Sequence, residues 1–174
     1  MLEAVKSGVK ELDSIIGGFL KGQIILLAGN PGSGKTTLAT QFLYEGLLNG
    51  ETTLFLGLVE PKEDYMNYMK LIGFNLENYE KEGKFIFLEM LTIKDMNGIN
   101  LLLKNLLQVI KDYNVSRLVI DSISAIEQAI KEDEARAFFH NTLLRGLKAS
   151  KVTSILIADL PFNTLTIGYG LEEF

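Results

Sequence analysis

One run of residues has the types and spacing that phosphate chemistry requires: Gly29-Asn30-Pro31-Gly32-Ser33-Gly34-Lys35-Thr36, which fits G-x-x-x-x-G-K-T and is followed by Thr37. Glycines at these positions let the backbone curl until successive N–H groups converge on phosphate oxygens. A helix beginning near Lys35 adds the positive end of its dipole. The Lys35 ammonium then reaches the β- and γ-phosphates of a nucleoside triphosphate, and the Thr36 hydroxyl ligates Mg²⁺. The plain alternative is a Gly-rich turn without function. At ordinary residue frequencies such a match in 174 residues is roughly a one-in-a-hundred event.

Three carboxylates stand where they would complete such a site. Asp121 follows the apolar run Leu118-Val119-Ile120, the pattern that sets an acid beside the Mg²⁺ of a phosphate-loop enzyme. Its simpler role is to cap a helix at a strand end, with Ser122 or Ser124 as other caps. Asp159 ends the last apolar run, where a side chain sensing the γ-phosphate sits, or is an ordinary loop acid. Glu60 lies just past the run 52–58 and either orients an attacking water or is a solvated charge at a helix start. Other features read as structural. His140 packs or faces solvent, Glu132-Asp133-Glu134 opens a helix, and Tyr65, Met66, Tyr68 and Met69 pack on the core or on a neighbouring subunit.

These residues need elements to hold them. Ile24 to Ala28 reads as a buried strand running straight into the Gly-rich turn, and Lys35 to Leu48 as a helix stopped by Asn49-Gly50. Further strands are expected at 52–58, 85–88, 118–121 and 153–158, with helices from Pro61 to Ile72, Ile99 to Tyr113 and Glu132 to Ser150. Continuously apolar strands alternating with helices imply an α/β fold with a mostly parallel sheet covered on both faces.

Composition narrows the function classes. An apolar fraction of 47% and a charged fraction of 22% are those of an ordinary globular domain, and the chain suits one domain over 1–174. It has no cysteine and one histidine, which excludes disulfides and thiolate chemistry and argues against a Ser-His triad. No apolar run approaches the roughly 20 residues of a membrane span, and the start lacks a signal-peptide pattern, so the expected location is cytoplasmic. With a net charge of −5 and scattered lysines, nucleic-acid binding is not indicated.

With these residues placed, the chain resembles the KaiC-like ATPases of the RecA superfamily. Ser7-Gly8-Val9-Lys10-Glu11-Leu12-Asp13 and Gly17-Gly18-Phe19-Leu20-Lys21-Gly22 are similar to that family's lead-in to the phosphate loop. Gln41-Phe42-Leu43-Tyr44-Glu45-Gly46, Leu71-Ile72-Gly73-Phe74-Asn75-Leu76, Asp121-Ser122 and Tyr169-Gly170-Leu171-Glu172-Glu173-Phe174 also match. The resemblance implies a three-layer RecA-like core, ATP and Mg²⁺ as ligands, and a homo-oligomer, usually a hexameric ring with ATP between subunits. Two departures stand out. The family carries adjacent glutamates after its second strand, the first acting as base, where this chain reads Val59-Glu60. The family's later strands, with the Lys and Arg that reach the next subunit's site, look absent before Phe174. The leading expectation is a Mg-ATP-binding protein with slow turnover. The alternatives are a non-hydrolysing ATP-dependent scaffold or switch, and a recombinase-like DNA-binding ATPase.

Overall fold

The structure, a computed structural model, describes residues 3–92 and 95–160. A short antiparallel pair, β1 (Ala4–Val5) and β2 (Phe19–Leu20), brackets helix α1 (Lys10–Ile16). The main sheet follows with β3 (Ile24–Gly29), β4 (Thr53–Gly57), β5 (Phe85–Glu89), β6 (Arg117–Asp121) and β7 (Thr153–Asp159). All pairings in it are parallel, in the order β3-β7-β6-β4-β5. Parallel neighbours need crossovers, which helices supply. These are α2 (Lys35–Leu48), α3 (Lys62–Leu71), α4 (Glu77–Lys81), α5 (Met96–Asp112), α6 (Ile123–Ala129), α7 (Glu132–Phe138) and α8 (Leu144–Ser150).

Strand residues alternate between two apolar layers. Leu54, Leu56, Leu118, Ile120 and Leu156 face one layer with Leu102, Leu106 and Leu147 of α5 and α8. Phe55, Val119, Ile155 and Ile157 face the other with Phe42, Leu43, Tyr65 and Met69 of α2 and α3. Because both faces are covered, the strands read as unbroken apolar runs. This is the three-layer α/β fold expected from the sequence.

The main elements lie within a few residues of their expected bounds. The long segment 132–150 differs: α7 and α8 are joined through a π-helical turn, Phe139–Leu143, that buries Phe139 and Leu143. Apolar periodicity continues through such a turn, so the interruption leaves little trace in the pattern. Tyr65 and Met69 are fully buried, whereas Tyr68, at the edge of that apolar face of α3, is exposed.

Arg117, 2% exposed at the start of β6, is the largest buried side chain among the described residues. Its Nε and Nη2 donate to the Glu51 carboxylate at 2.6 and 3.0 Å. Nη1 donates to the carbonyls of Lys6 at 2.7 Å and Phe42 at 2.9 Å, and the guanidinium lies 4.9 Å over the Phe42 ring. A buried guanidinium is tolerated when its donors are satisfied in this way. The arrangement depends on Gly46, where a Cβ would stand 2.6 Å from the Arg117 Nε and 2.7 Å from its Cδ. Gly46→Ala gains up to about 1 kcal/mol in helix propensity but forces an overpacked site costing about 1–3 kcal/mol. Urea unfolding should therefore show net destabilisation, and an equal or higher midpoint would contradict this packing.

Candidate functional site

The carboxyl ends of β3, β4, β6 and β7 open on a cleft of about 200 Å³ lined by Pro31, Gly32, Lys35, Thr36, Phe55, Gly57, Val59, Glu60, Asp121 and Asp159. In an open parallel sheet this is where successive strands deliver polar side chains into one space. The phosphate loop leaves β3 and tightens at Asn30, whose carbonyl accepts from the Ser33 N–H at 3.2 Å. Gly32 and Gly34 take φ values of +78° and +87°, which side chains with a Cβ rarely adopt. Gly34 is the N-cap of α2, so the first free N–H groups of a 14-residue helix point at the loop.

Lys35, with a side chain 9% exposed, curls back over the loop. Its Nζ donates to the carbonyls of Gly29 at 2.9 Å and Asn30 at 3.0 Å, and pairs with Asp159 Oδ1 at 2.9 Å. The Thr36 Oγ1 donates to Asp121 Oδ2 at 2.6 Å. Burial pushes the Asp121 carboxyl above the usual range, opposed by the Thr36 hydrogen bond. The hydroxyl and the carboxylate offer two hard oxygens side by side, the donor set that Mg²⁺ takes from a protein while keeping waters. The residues present fit that ion.

Asp159 is tied from several sides. Its Oδ2 accepts from the Ser122 Oγ at 3.2 Å, and its backbone N–H donates to the Ser124 Oγ at 2.9 Å. Ser122 is the N-cap residue of α6 but makes no side-chain cap bond.

β4 ends at Gly57, so the backbone has already left the extended conformation at Val59 and Glu60, and both side chains line the cleft. Strict strand alternation would have sent Glu60 to the far side. Val59 is 64% exposed, an apolar side chain standing open at the mouth. The Glu60 carboxyl is held above its ordinary range by burial, then by the negative charges of Asp121 and Asp64. Of the loop residues named from the sequence, Pro31, Gly32, Lys35 and Thr36 line the cleft, whereas Gly29, Asn30, Ser33, Gly34 and the half-buried Thr37 on α2 lie outside its lining.

A layer beneath the site was not foreseen. The Thr40 Oγ1 donates to the Thr36 carbonyl at 2.8 Å and lies 2.9 Å from the Tyr65 hydroxyl. Helical spacing marked Tyr65 as a core residue, but no pattern reveals that its hydroxyl meets α2 one turn below Thr36.

The family model of the KaiC ATPases matches residues 5–174. The chain belongs to that family. It is 30% identical to a UPF0273 protein of Thermotoga maritima, over 99% of this chain and 78% of that protein. It is 28% identical to the circadian clock protein KaiC3 of Synechocystis, over 99% of this chain but 36% of the longer protein. The crystal structure of a KaiC-like protein from Pyrococcus horikoshii superposes with a TM-score of 0.87 at 37% identity, covering all of this chain and 77% of that one. The chain is thus a P-loop ATPase-like protein with a RecA-like fold. The motif at 169–174 lies outside the described residues.

Tyr65→Phe removes one buried hydroxyl and leaves Thr40 its bond to Thr36. The expected loss is about 0.5–1.5 kcal/mol of unfolding free energy, read from denaturant midpoints. No loss would mean the Tyr65–Thr40 contact contributes nothing to the floor of the site.

Proposed function

We propose that this chain binds Mg-ATP in the cleft at the carboxyl ends of its strands and hydrolyses it slowly. The observation that carries the reading is convergence: Lys35 and Thr36 from α2, Asp121 from β6 and Asp159 from β7 meet at one loop built to present N–H groups. The loop amides and the start of α2 would hold the phosphates, with Gly29, Asn30, Pro31, Gly32, Ser33 and Gly34 supplying the curl. Lys35 would contribute the cationic contact, while Thr36 and Asp121 would hold Mg²⁺, which when bound neutralises developing charge on the phosphates.

Turnover depends on a carboxylate that orients a water in line with the γ-phosphate. Val59 has no group for that task. Glu60 lines the same cleft, and its raised carboxyl lies nearer the working range of a proton acceptor. We place it in that role, with turnover on the order of 1 per second or less against a median enzyme value of about 10. A non-hydrolysing nucleotide switch is the second reading, favoured by the exposed Val59 at the mouth.

Mg-ADP and Mg-ATP should raise the melting temperature, since a ligand that binds the folded state stabilises it by mass action. Lys35→Ala should lose most of that shift, and a variant melting like the parent under ligand would remove Lys35 from the site. Asp121→Asn should act chiefly on the magnesium titration.

Glu60→Gln separates enzyme from switch. It should abolish turnover in a single-turnover assay, and Val59→Glu should raise it. Because the folded-state pKa of Glu60 is raised, the stability contributed by its protonated form is lost as pH rises through that pKa, and above it the ionised form opposes folding. Glu60→Gln should therefore leave the melting temperature equal or higher. Unchanged turnover in Glu60→Gln would remove Glu60 from that role, and no single-turnover hydrolysis by the parent chain would favour the switch.

Family membership supports a further element, ATP held between copies of the chain. Sedimentation should then show association promoted by ATP more than by ADP, and a monomer under all nucleotide conditions would count against it.

A further inference from the structure

We propose that Asp159 is a built-in competitor of the nucleotide: its carboxylate pairs with Lys35 and must be displaced before phosphate can bind. The inference rests on the nucleotide reading above and adds a regulation of that site.

A lysine ammonium has three N–H donors and no acceptor. Here two are given to the carbonyls of Gly29 at 2.9 Å and Asn30 at 3.0 Å, and the ammonium also forms an ion pair with Asp159 Oδ1 at 2.9 Å. An arriving phosphate oxygen competes with these three oxygens for the ammonium. The two carbonyls belong to the phosphate-loop backbone, which is fixed by the Ser33–Asn30 and Leu160–Gly29 bonds and cannot swing away as a side chain can. Asp159 belongs to a different strand, brings a full negative charge, and lines the same cleft. With its side chain 42% exposed it has water on one side to rotate into, whereas Lys35 at 9% does not. Asp159 is therefore the partner that yields.

The backbone around Asp159 cannot retreat with it. Its N–H is bonded to Ser124 Oγ at 2.9 Å, and the N–H of Leu160 donates to the Gly29 carbonyl at 3.0 Å. Only the side chain can move, and Ser122, whose hydroxyl already donates to Oδ2 at 3.2 Å, offers it a resting place beside the cleft. The displaced charge thus stays near the incoming phosphates and continues to weaken their binding.

The opposite possibility is that Asp159 helps the nucleotide, as a contact to a bound cation or to the γ-phosphate. The two assignments differ in sign. Titration calorimetry with ADP and with pyrophosphate, each with and without Mg²⁺, should be run on the parent chain, Asp159→Asn, Asp159→Ala and Lys35→Ala. Competition predicts that both Asp159 variants bind both probes more tightly, on the order of three- to tenfold for a partly exposed pair plus a nearby like charge. It also predicts a lower unliganded melting temperature for Asp159→Asn together with a larger ligand-induced rise. Equal or weaker binding by both Asp159 variants overturns the proposal. In that event, binding by the parent and its loss in Lys35→Ala would still leave the nucleotide site standing. If neither the parent nor any Asp159 variant binds, both readings fall together. Binding by the Asp159 variants alone would support the competitor in its strongest form.

Discussion

An ammonium group shut off from water must be surrounded by acceptors, and Lys35 sets that demand on everything near it. A lone buried charge is strongly unfavourable, so the folded state has to bring oxygen atoms to it from several directions. The loop meets the demand by curling until two of its carbonyls face inward, which requires Gly32 and Gly34 at positive φ. β7 meets it by ending at Asp159 in register with Gly29. The geometry that satisfies one cation also leaves the loop's N–H groups aimed at the cleft.

The sheet order gives the same constraint at larger scale. β7 lies between β3 and β6, so Asp159 stands beside Gly29 on one side and near the carboxyl end of β6 on the other. A chain that joined its strands as simple neighbours would not put Lys35, Thr36, Asp121 and Asp159 around one space. The helices serve this order by covering both faces, and their apolar faces follow the strand alternation.

Much of this is legible in the residues. The loop declares itself because few sequences other than a phosphate cradle need glycine, lysine and threonine at that spacing. The strands declare themselves because burial on both faces leaves no polar alternation. Asp121 and Asp159 are visible as acids closing apolar runs. What stays hidden is tertiary. The lie of Glu60 depends on β4 stopping at Gly57, a boundary that apolar Leu58 and Val59 disguise. The Lys35–Asp159 and Thr40–Tyr65 contacts join residues 124 and 25 positions apart, and no local pattern encodes such pairs. The burial of Arg117 is equally silent, since an arginine before an apolar run reads as a solvated strand start.

The fastening of α2 to β6 has a mechanical consequence. At one end Thr36 of the helix is bonded to Asp121 of the strand, and at the other the carbonyl of Phe42 receives Arg117. Helix and strand run in opposite directions, and the strand is pinned near both its ends to the first turn and the middle of the helix, like two members of a braced frame. A frame held at two points has no free hinge, so α2 cannot tilt or slide on β6 without breaking a pin. Movement in this region is left to parts outside the frame: the turn at Val59 and Glu60, and the side chain of Asp159.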